Sequence, residues 1–352
     1  MILAIIGIVL GEVLLVLDLA NRIFSSYRRA PGRMFWRVLV VLACVLVLPA
    51  PAIAHGLGWR SPHIHALYVA AGVLGWLVAL HFLVPYKWGV KRVPPRDHHR
   101  AERPLGMNVV LRDSHVELAE LPPGINHLNI VAISDLHCTT HPKTQTLLHV
   151  LEALDEEELF DLVLILGDLG EQPDLLPEVM AGLGAIQNRY GVYCVRGNHD
   201  FEGGRAAFIK DLAGANGIFL LENAVHEVPG TGLTLIGLEL PWDKAPLPEP
   251  PAGRFVIGLS HSPDNILQFS RLNVNVGFAG HTHGGRLNIP LLGSALVPAR
   301  LGRFLEKGLF RLDGTLLYIT AGLGYNVARF GKTGEILRLT ITRPKQTVAA
   351  PA

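Results

Sequence analysis

Five times after residue 127 of this 352-residue chain, a short apolar run stops at a residue able to bind a metal. Leu128–Ile133 leads into Ser134-Asp135-Leu136-His137, Leu162–Leu166 into Gly167-Asp168, and Val192–Val195 into Arg196-Gly197-Asn198-His199-Asp200. Phe255–Leu259 leads into Ser260-His261, and Val274–Ala279 into Gly280-His281-Thr282-His283-Gly284-Gly285. Short apolar runs bounded by glycine and polar residues read as buried strands. Leu233–Leu238 reads as one more strand, and Thr144–Leu154, Leu175–Gln187 and Arg205–Ala213 as helices between strands. Sites in layered α/β folds form in loops beyond the carboxyl ends of strands. The pattern therefore brings Asp135, His137, Asp168, Asn198, His261, His281 and His283 to one edge. In a period-two backbone His281 and His283 point the same way, into one small volume.

Taken singly, each residue has a plainer reading: Asp168 as a helix cap, His137 as a surface residue, Asn198 as a turn former. Together, carboxylate, amide oxygen and imidazole suit manganese, iron or zinc rather than copper(I) or an iron–sulfur cluster. Seven ligands exceed one tetrahedral ion and suit two ions sharing a carboxylate. The three cysteines, Cys44, Cys138 and Cys194, form no CxxC pair or disulfide framework. A net charge of +1 excludes nucleic-acid binding by bulk charge.

The ordered set Asp135-x-His137, Gly167-Asp168, Gly197-Asn198-His199-Asp200, His261 and Gly280-His281-Thr282-His283 resembles the calcineurin-like metallophosphoesterase family. Gly284-Gly285 and Gly322-Leu323-Gly324 resemble a bacterial membrane-associated subgroup of it. The resemblance implies an α/β fold, a four-layer αββα sandwich of two mixed sheets flanked by helices. It implies a first metal on Asp135, His137, Asp168 and His283. Asp168 then bridges to a second metal completed by Asn198, His261 and His281. It makes His199 the catalytic histidine, oriented by Asp200. Two divalent ions are the implied cofactors, manganese before iron or zinc. Arg196 and Arg286 are candidate phosphate contacts because guanidinium binds phosphate bidentately; surface ion pairs are the alternative for both.

The first quarter of the chain reads differently. Ile2–Ala20, Val38–Ala54 and Ala66–Val84 each approach the roughly 20 residues that cross a bilayer as a helix. Glu12 and Asp18 interrupt the first. Basic residues cluster at Arg22–Arg37 and Lys87–Arg103, while the connection between the second and third runs holds only Arg60. Positive residues stay cytoplasmic, so the last two runs form a hairpin entering from the cytoplasm and returning to it. The expected organisation is a membrane region over 1–88 and a basic, proline-rich linker with one edge strand, Asn108–Leu118, over 89–126. A metallophosphoesterase domain over 127–342 and a tail over 343–352 complete it. In the linker, Asp97-His98-His99-Arg100 reads as a solvated juxtamembrane segment.

The expected function is metal-dependent hydrolysis of a phosphoester or pyrophosphate by an enzyme anchored in the cytoplasmic membrane. Its partners are a phosphorylated small molecule or lipid and the bilayer. Alternatives are the same enzyme working on soluble or extracellular phosphoesters, and a non-enzymatic membrane receptor with a structural metal site. Substrate loops are expected around Phe201–Lys210, Pro241–Ala252 and Pro290–Phe304.

Overall fold

The computed structural model describes residues 6–16, 58, 62–83, 89–106, 108–156, 159–285, 288–289, 293–294, 297–301, 304–323 and 333–344. Two compact units divide the chain: Met1–Gly89 with Leu287–Phe304, and Val90–Arg286 with Leu305–Ala352.

In the second unit the first apolar runs become parallel strands: β4 (His127–Ile133), β5 (Leu162–Ile165), β6 (Val192–Cys194) and β7 (Ile218–Leu220). Helices His141–Asp155, Leu176–Gly184 and Arg205–Ala215 connect them in turn. The first begins earlier than expected because Pro142, with its fixed φ, suits the opening helical turn. Each strand is apolar on both faces. Leu128, Ile130 and Ala132 of β4 enter one core, and Val131 and Ile133 enter the other. β5 divides likewise, Leu162 and Leu164 against Val163 and Ile165. Burying each such side chain stabilises by about 1.5–3 kcal/mol, so a one-residue slip in register would be opposed on both faces at once.

One core lies under the three connecting helices. The other lies against a second sheet, ordered β1-β14-β15-β11-β10-β9-β8. Its strands are β1 (Lys91–Arg92), β8 (Val225–Glu227), β9 (Leu233–Leu238), β10 (Phe255–Ser260), β11 (Val276–Ala279), β14 (Gly308–Leu312) and β15 (Thr315–Ile319). The first sheet is ordered β2-β3-β16-β4-β5-β6-β7, with β2 (His99–Gly106), β3 (Val109–Glu117) and β16 (Gly334–Thr342). Phe269, on the short helix Ile266–Arg271, lies against Gly258 of β10 and Gly277 of β11. The unit is a mixed α/β sandwich, helices–sheet–sheet–helix.

The stretch expected as a linker is built into this sandwich. β1 joins the second sheet and β2 the first. β3 pairs with both β2 and β16, so it is interior rather than an edge. Its nine residues mix buried and half-buried positions and end on the exposed Glu117, which a sequence reading cannot distinguish from an edge pattern.

In the first unit, residues 6–16 are helical and Pro62–Leu83 forms a 22-residue helix. The Trp76 indole N–H donates to the Gly7 carbonyl at 2.8 Å. A Cβ on Gly75 would land on the Gly11 carbonyl oxygen, so glycine lets these backbones touch. Two short strands, β12 (Asn288–Ile289) and β13 (Gly293–Ser294), pair antiparallel. The expected second membrane run, Val38–Ala54, lies outside the described residues, as do most side chains at the ends of the third. Among the described residues no helix is long and apolar enough to cross a membrane.

Candidate metal centre

Six of the seven expected ligands gather into close groups. Ligand atoms of Asp135, His137 and His283 lie within 4.8 Å of one another, and so do those of Asp168, His261 and His281. A third group, His137, Asp168 and His199, links the two. All of these except His199 are buried. His281 and His283 thus join two neighbouring groups, not one small volume. The period-two argument fails because β11 ends at Ala279 and both histidines sit in a turn, at φ 69° and 53°.

Asp135, His137, Asp168, His281 and His283 all have positive φ, between 47° and 69°. A left-handed residue other than glycine is uncommon, and Asp and His accept it better than branched residues. β4, β5 and β11 are therefore each followed by a sharp reversal at a ligand residue. Such strain persists only where the surroundings over-determine it, and it clusters at active sites.

Those surroundings are specific. Asp168 Oδ2 faces three imidazoles: His261 Nε2 at 3.2 Å, His137 Nε2 at 3.6 Å and His199 Nε2 at 4.0 Å. Its Oδ1 accepts from the His199 backbone N–H at 2.9 Å. Asp135 Oδ1 lies 3.6 Å from His283 Nε2 and 3.9 Å from His261 Nε2. The His281 backbone N–H and the Ser134 hydroxyl donate to this carboxylate. Glycine lets the chain close around it: a Cβ on Gly280 or Gly322 would collide with Asp135 Oδ2, at 2.5 and 2.7 Å.

The donor chemistry fits divalent cations. Leu166 carbonyl oxygen lies 2.6 Å from His261 Nδ1 and can only accept, so Nδ1 carries a proton there. Nε2 is left facing Asp168 and, at 3.0 Å, His281 Nδ1. A carbonyl behind a histidine fixes the tautomer in this way at metal sites. Asn198 Oδ1 is buried with no hydrogen-bond partner, and an orphaned buried acceptor is rare unless a cation claims it.

Electrostatics point the same way. Burial alone would raise Asp168, but the charges of His261, His137 and His199 hold it well below the usual carboxylate range. Burial would lower His261, yet Asp168 and then Asp135 push it up to about 9. His137 is raised too, against burial, by Glu171, Asp168 and Asp135. The cluster is anionic enough to attract cations, whether protons or metals.

Two expected roles are corrected. Asp200 does not orient the His199 ring. It is fully buried, and its oxygens accept from the backbone N–H groups of Asp168, Leu169 and Gly197 at 2.7, 3.0 and 2.8 Å. Burial and then the Asp168 charge push Asp200 up to about 6, opposed by those N–H donors. Facing His199 Nδ1 instead is Glu171 Oε1 at 3.4 Å, with Glu202 at 3.9 Å. Arg196 is not available to substrate. It is buried, forks onto Glu239 at 2.9 and 2.7 Å, pairs with Glu222 at 2.8 Å and lies over the Phe201 ring. Arg286 lies outside the described residues.

Glu171, Glu239 and Trp242 were missed by sequence reasoning. Trp242, in one of the expected substrate loops, sits with its ring 5.4 Å from both His261 and His281. No local signal marks Glu171 or Glu239; their partners are distant in the chain.

Comparison with known proteins bears on this site directly. A family model described as calcineurin-like phosphoesterase matches residues 128–285. The uncharacterized metallophosphoesterase YkuE of Bacillus subtilis is 28% identical over 215 residues, 58% of this chain and 74% of that protein. A transmembrane protein with metallophosphoesterase domain from Danio rerio is 26% identical, over 60% of this chain and 52% of its own length. The phosphodiesterase YaeI of Escherichia coli is 26% identical, over 55% of this chain and 74% of its own.

Proposed function

We infer that this chain, a calcineurin-like phosphoesterase over residues 128–285 and so a hydrolase of phosphoester bonds, performs its reaction at the cluster centred on Asp168 with two divalent cations. The observation carrying this is the division of one buried edge into two donor groups joined by Asp168. Asp135, His137 and His283 would hold one ion and Asn198, His261 and His281 the other, with Asp168 shared. When bound, such ions lower the pKa of water to make an attacking group at neutral pH and neutralise phosphate oxygens.

The chain's own residues do the rest. Burial of the carboxylates in a low-dielectric pocket strengthens every charge interaction made there. His199, half-buried at the rim, has Nε2 toward Asp168 and Nδ1 toward Glu171. With Nδ1 on the carboxylate side, the other ring nitrogen is placed to give a proton to the leaving oxygen. Asp200 ties the Asp168 loop to the Gly197 loop and keeps the ligands at their spacing. Manganese, iron and zinc all suit this donor set. Chelating the purified full chain, then restoring each metal, tests the proposal on p-nitrophenyl phosphate and its bis ester. Hydrolysis should vanish and return with metal; undiminished hydrolysis after chelation would overturn it.

The same reading makes residues 1–88 a membrane anchor, with the catalytic unit on the cytoplasmic side and an amphiphilic, lipid-linked phosphoester as substrate. Its support is the three apolar runs, the biased placement of arginine and lysine, and the close glycine contact between residues 6–16 and the helix Pro62–Leu83. The Danio rerio relative is named as a transmembrane protein. Alkaline carbonate washing of membranes should leave the full chain in the pellet; release into the wash would remove the anchor.

A further inference from the structure

A cavity of about 90 Å³ lies in the second unit between the turn Pro95–His98 and the start of β14. It falls on the stretch expected to be solvated, yet His98 is only 5% exposed. Three cations line it, Arg92, Arg112 and Lys307, against one carboxylate, Glu335. Arg112 is spent on Glu335 and Glu102, at 2.5 and 2.6 Å. Arg92 donates to the Lys307 carbonyl at 2.6 Å and keeps a loose 3.9 Å pairing with Glu306. Among the described residues Lys307 makes no ion pair. The His98 ring stands edge-on to Tyr318, and its Nδ1 is buried without a hydrogen-bond partner.

That nitrogen narrows the ligand. A neutral imidazole carries its proton on one nitrogen only, and with that proton on Nε2 the buried, unpartnered Nδ1 presents a lone pair to a donor. Cations beside a bare acceptor suit an oxyanion that still carries a proton. A phosphate monoester or hydrogen phosphate has such a P–OH near neutral pH, its second pKa being about 6. Sulfate and phosphodiesters have none.

Two chains of bonds lead from the cavity to the metal centre. The Thr282 hydroxyl, between His281 and His283, donates to the Glu306 carbonyl next to Lys307. Glu335 accepts from the Thr320 hydroxyl and the Ala321 N–H, at 3.2 and 3.3 Å, beside the Gly322 that packs on Asp135.

We propose that this cavity binds a phosphomonoester-type anion through Lys307 and Arg92, with His98 accepting from its P–OH, and that occupancy is transmitted to the His281–His283 turn. The site goes beyond the hydrolytic reading. It is tested on the full chain in detergent after chelation, so loss of that reading leaves it standing.

Calorimetric titration with inorganic phosphate at pH 6.5 should give saturable binding. Lys307→Gln, an exposed and structurally mild change, should weaken it about tenfold, the loss of one charge-assisted hydrogen bond. His98→Asn should weaken it comparably, and sulfate should bind at least as poorly to the unaltered chain. No saturable binding, binding by either variant as tight as by the unaltered chain, or sulfate matching phosphate would overturn the assignment. Phosphate should also slow hydrogen exchange at residues 281–285 in the unaltered chain and not in Lys307→Gln; unchanged exchange would overturn the transmission. Nanodiscs of phosphatidic acid in phosphatidylcholine, without free phosphate, separate the sources. Protection there identifies a lipid headgroup, and protection only by dissolved phosphate identifies a free anion.

Discussion

Asp200 accepts the backbone N–H of Asp168 at 2.7 Å, so the residue after His199 in sequence holds the central ligand by its main chain. The same carboxylate takes the N–H groups of Leu169 and Gly197. It is therefore a clasp between two strand-end loops. Hydrogen bonds to a buried charged group contribute about 1.5–3 kcal/mol each, and orphaned donors cost more. Asp200→Ala should lower stability by about 3 kcal/mol or more in urea unfolding. His199→Ala should leave stability within about 0.5 kcal/mol and abolish turnover. Were Asp200 only an orienter of His199, its loss would cut turnover and spare stability.

Arg196 and Glu239 form a buried, forked pair, and Glu239 is wholly inaccessible. Removing one partner leaves a buried charge uncompensated, at about 3–5 kcal/mol. Arg196→Met should destabilise by that order, and Arg196→Met with Glu239→Leu should recover much of it. KM for a soluble phosphoester should be unchanged wherever the single variant remains folded. A raised KM with stability intact would restore the phosphate-contact role expected from sequence.

Gly322 is held at φ 64° with room for no side chain against Asp135. Gly322→Ala adds left-handed strain of about 1–2 kcal/mol and pushes on a carboxylate of the first donor group. Metal analysis after dialysis should show one equivalent lost before the other. Gly314→Ala, where an added Cβ meets nothing, is the control and should retain both.

These relations mark where the sequence was readable. The strand-end positions of Asp135, Asp168, Asn198 and His261 were legible because an apolar run broken by a polar residue is a local signal. The swing of His281 and His283 into different groups was not, since positive φ at a histidine is imposed by packing rather than by the residue itself. Glu171, Glu239 and Gly322 act on residues 28 or more positions away, such as His199 facing the Glu171 carboxylate, and no spacing rule reaches so far. The segment 89–126 looked like a linker because charge and proline dominate it. Its strands are set instead by partners such as Arg311 opposite Lys91 and Leu111 opposite Arg103.

Asp168 should be indispensable in a way its neighbours are not, because among the described residues it is the one carboxylate in two donor groups, one with His137 and one with His261. Asp168→Asn keeps the shape and the oxygen that accepts from the His199 N–H, and removes the charge. Hydrolysis of bis-p-nitrophenyl phosphate should fall about a thousandfold or more, the scale of losing a principal electrostatic stabiliser, while circular dichroism stays native. Persistent activity in this variant would show that the carboxylate is not shared between cations.

Metals and protons compete for one set of atoms, and that competition gives the centre a measurable pH dependence. A cation that binds only the folded state at a hundredfold excess over its Kd adds about 2.7 kcal/mol. For a domain of this size that raises Tm by about 5–10 °C. With His261 pushed up to about 9 in the metal-free cluster, binding must expel a proton at any pH below that value, and apparent affinity falls as pH is lowered. The thermal shift produced by manganese or zinc in the chelated protein should therefore be larger at pH 8 than at pH 6. It should be absent in Asp168→Asn at both. A shift that is equal at the two pH values would mean that the cations bind away from His261, and the two-ion arrangement would lose its second half.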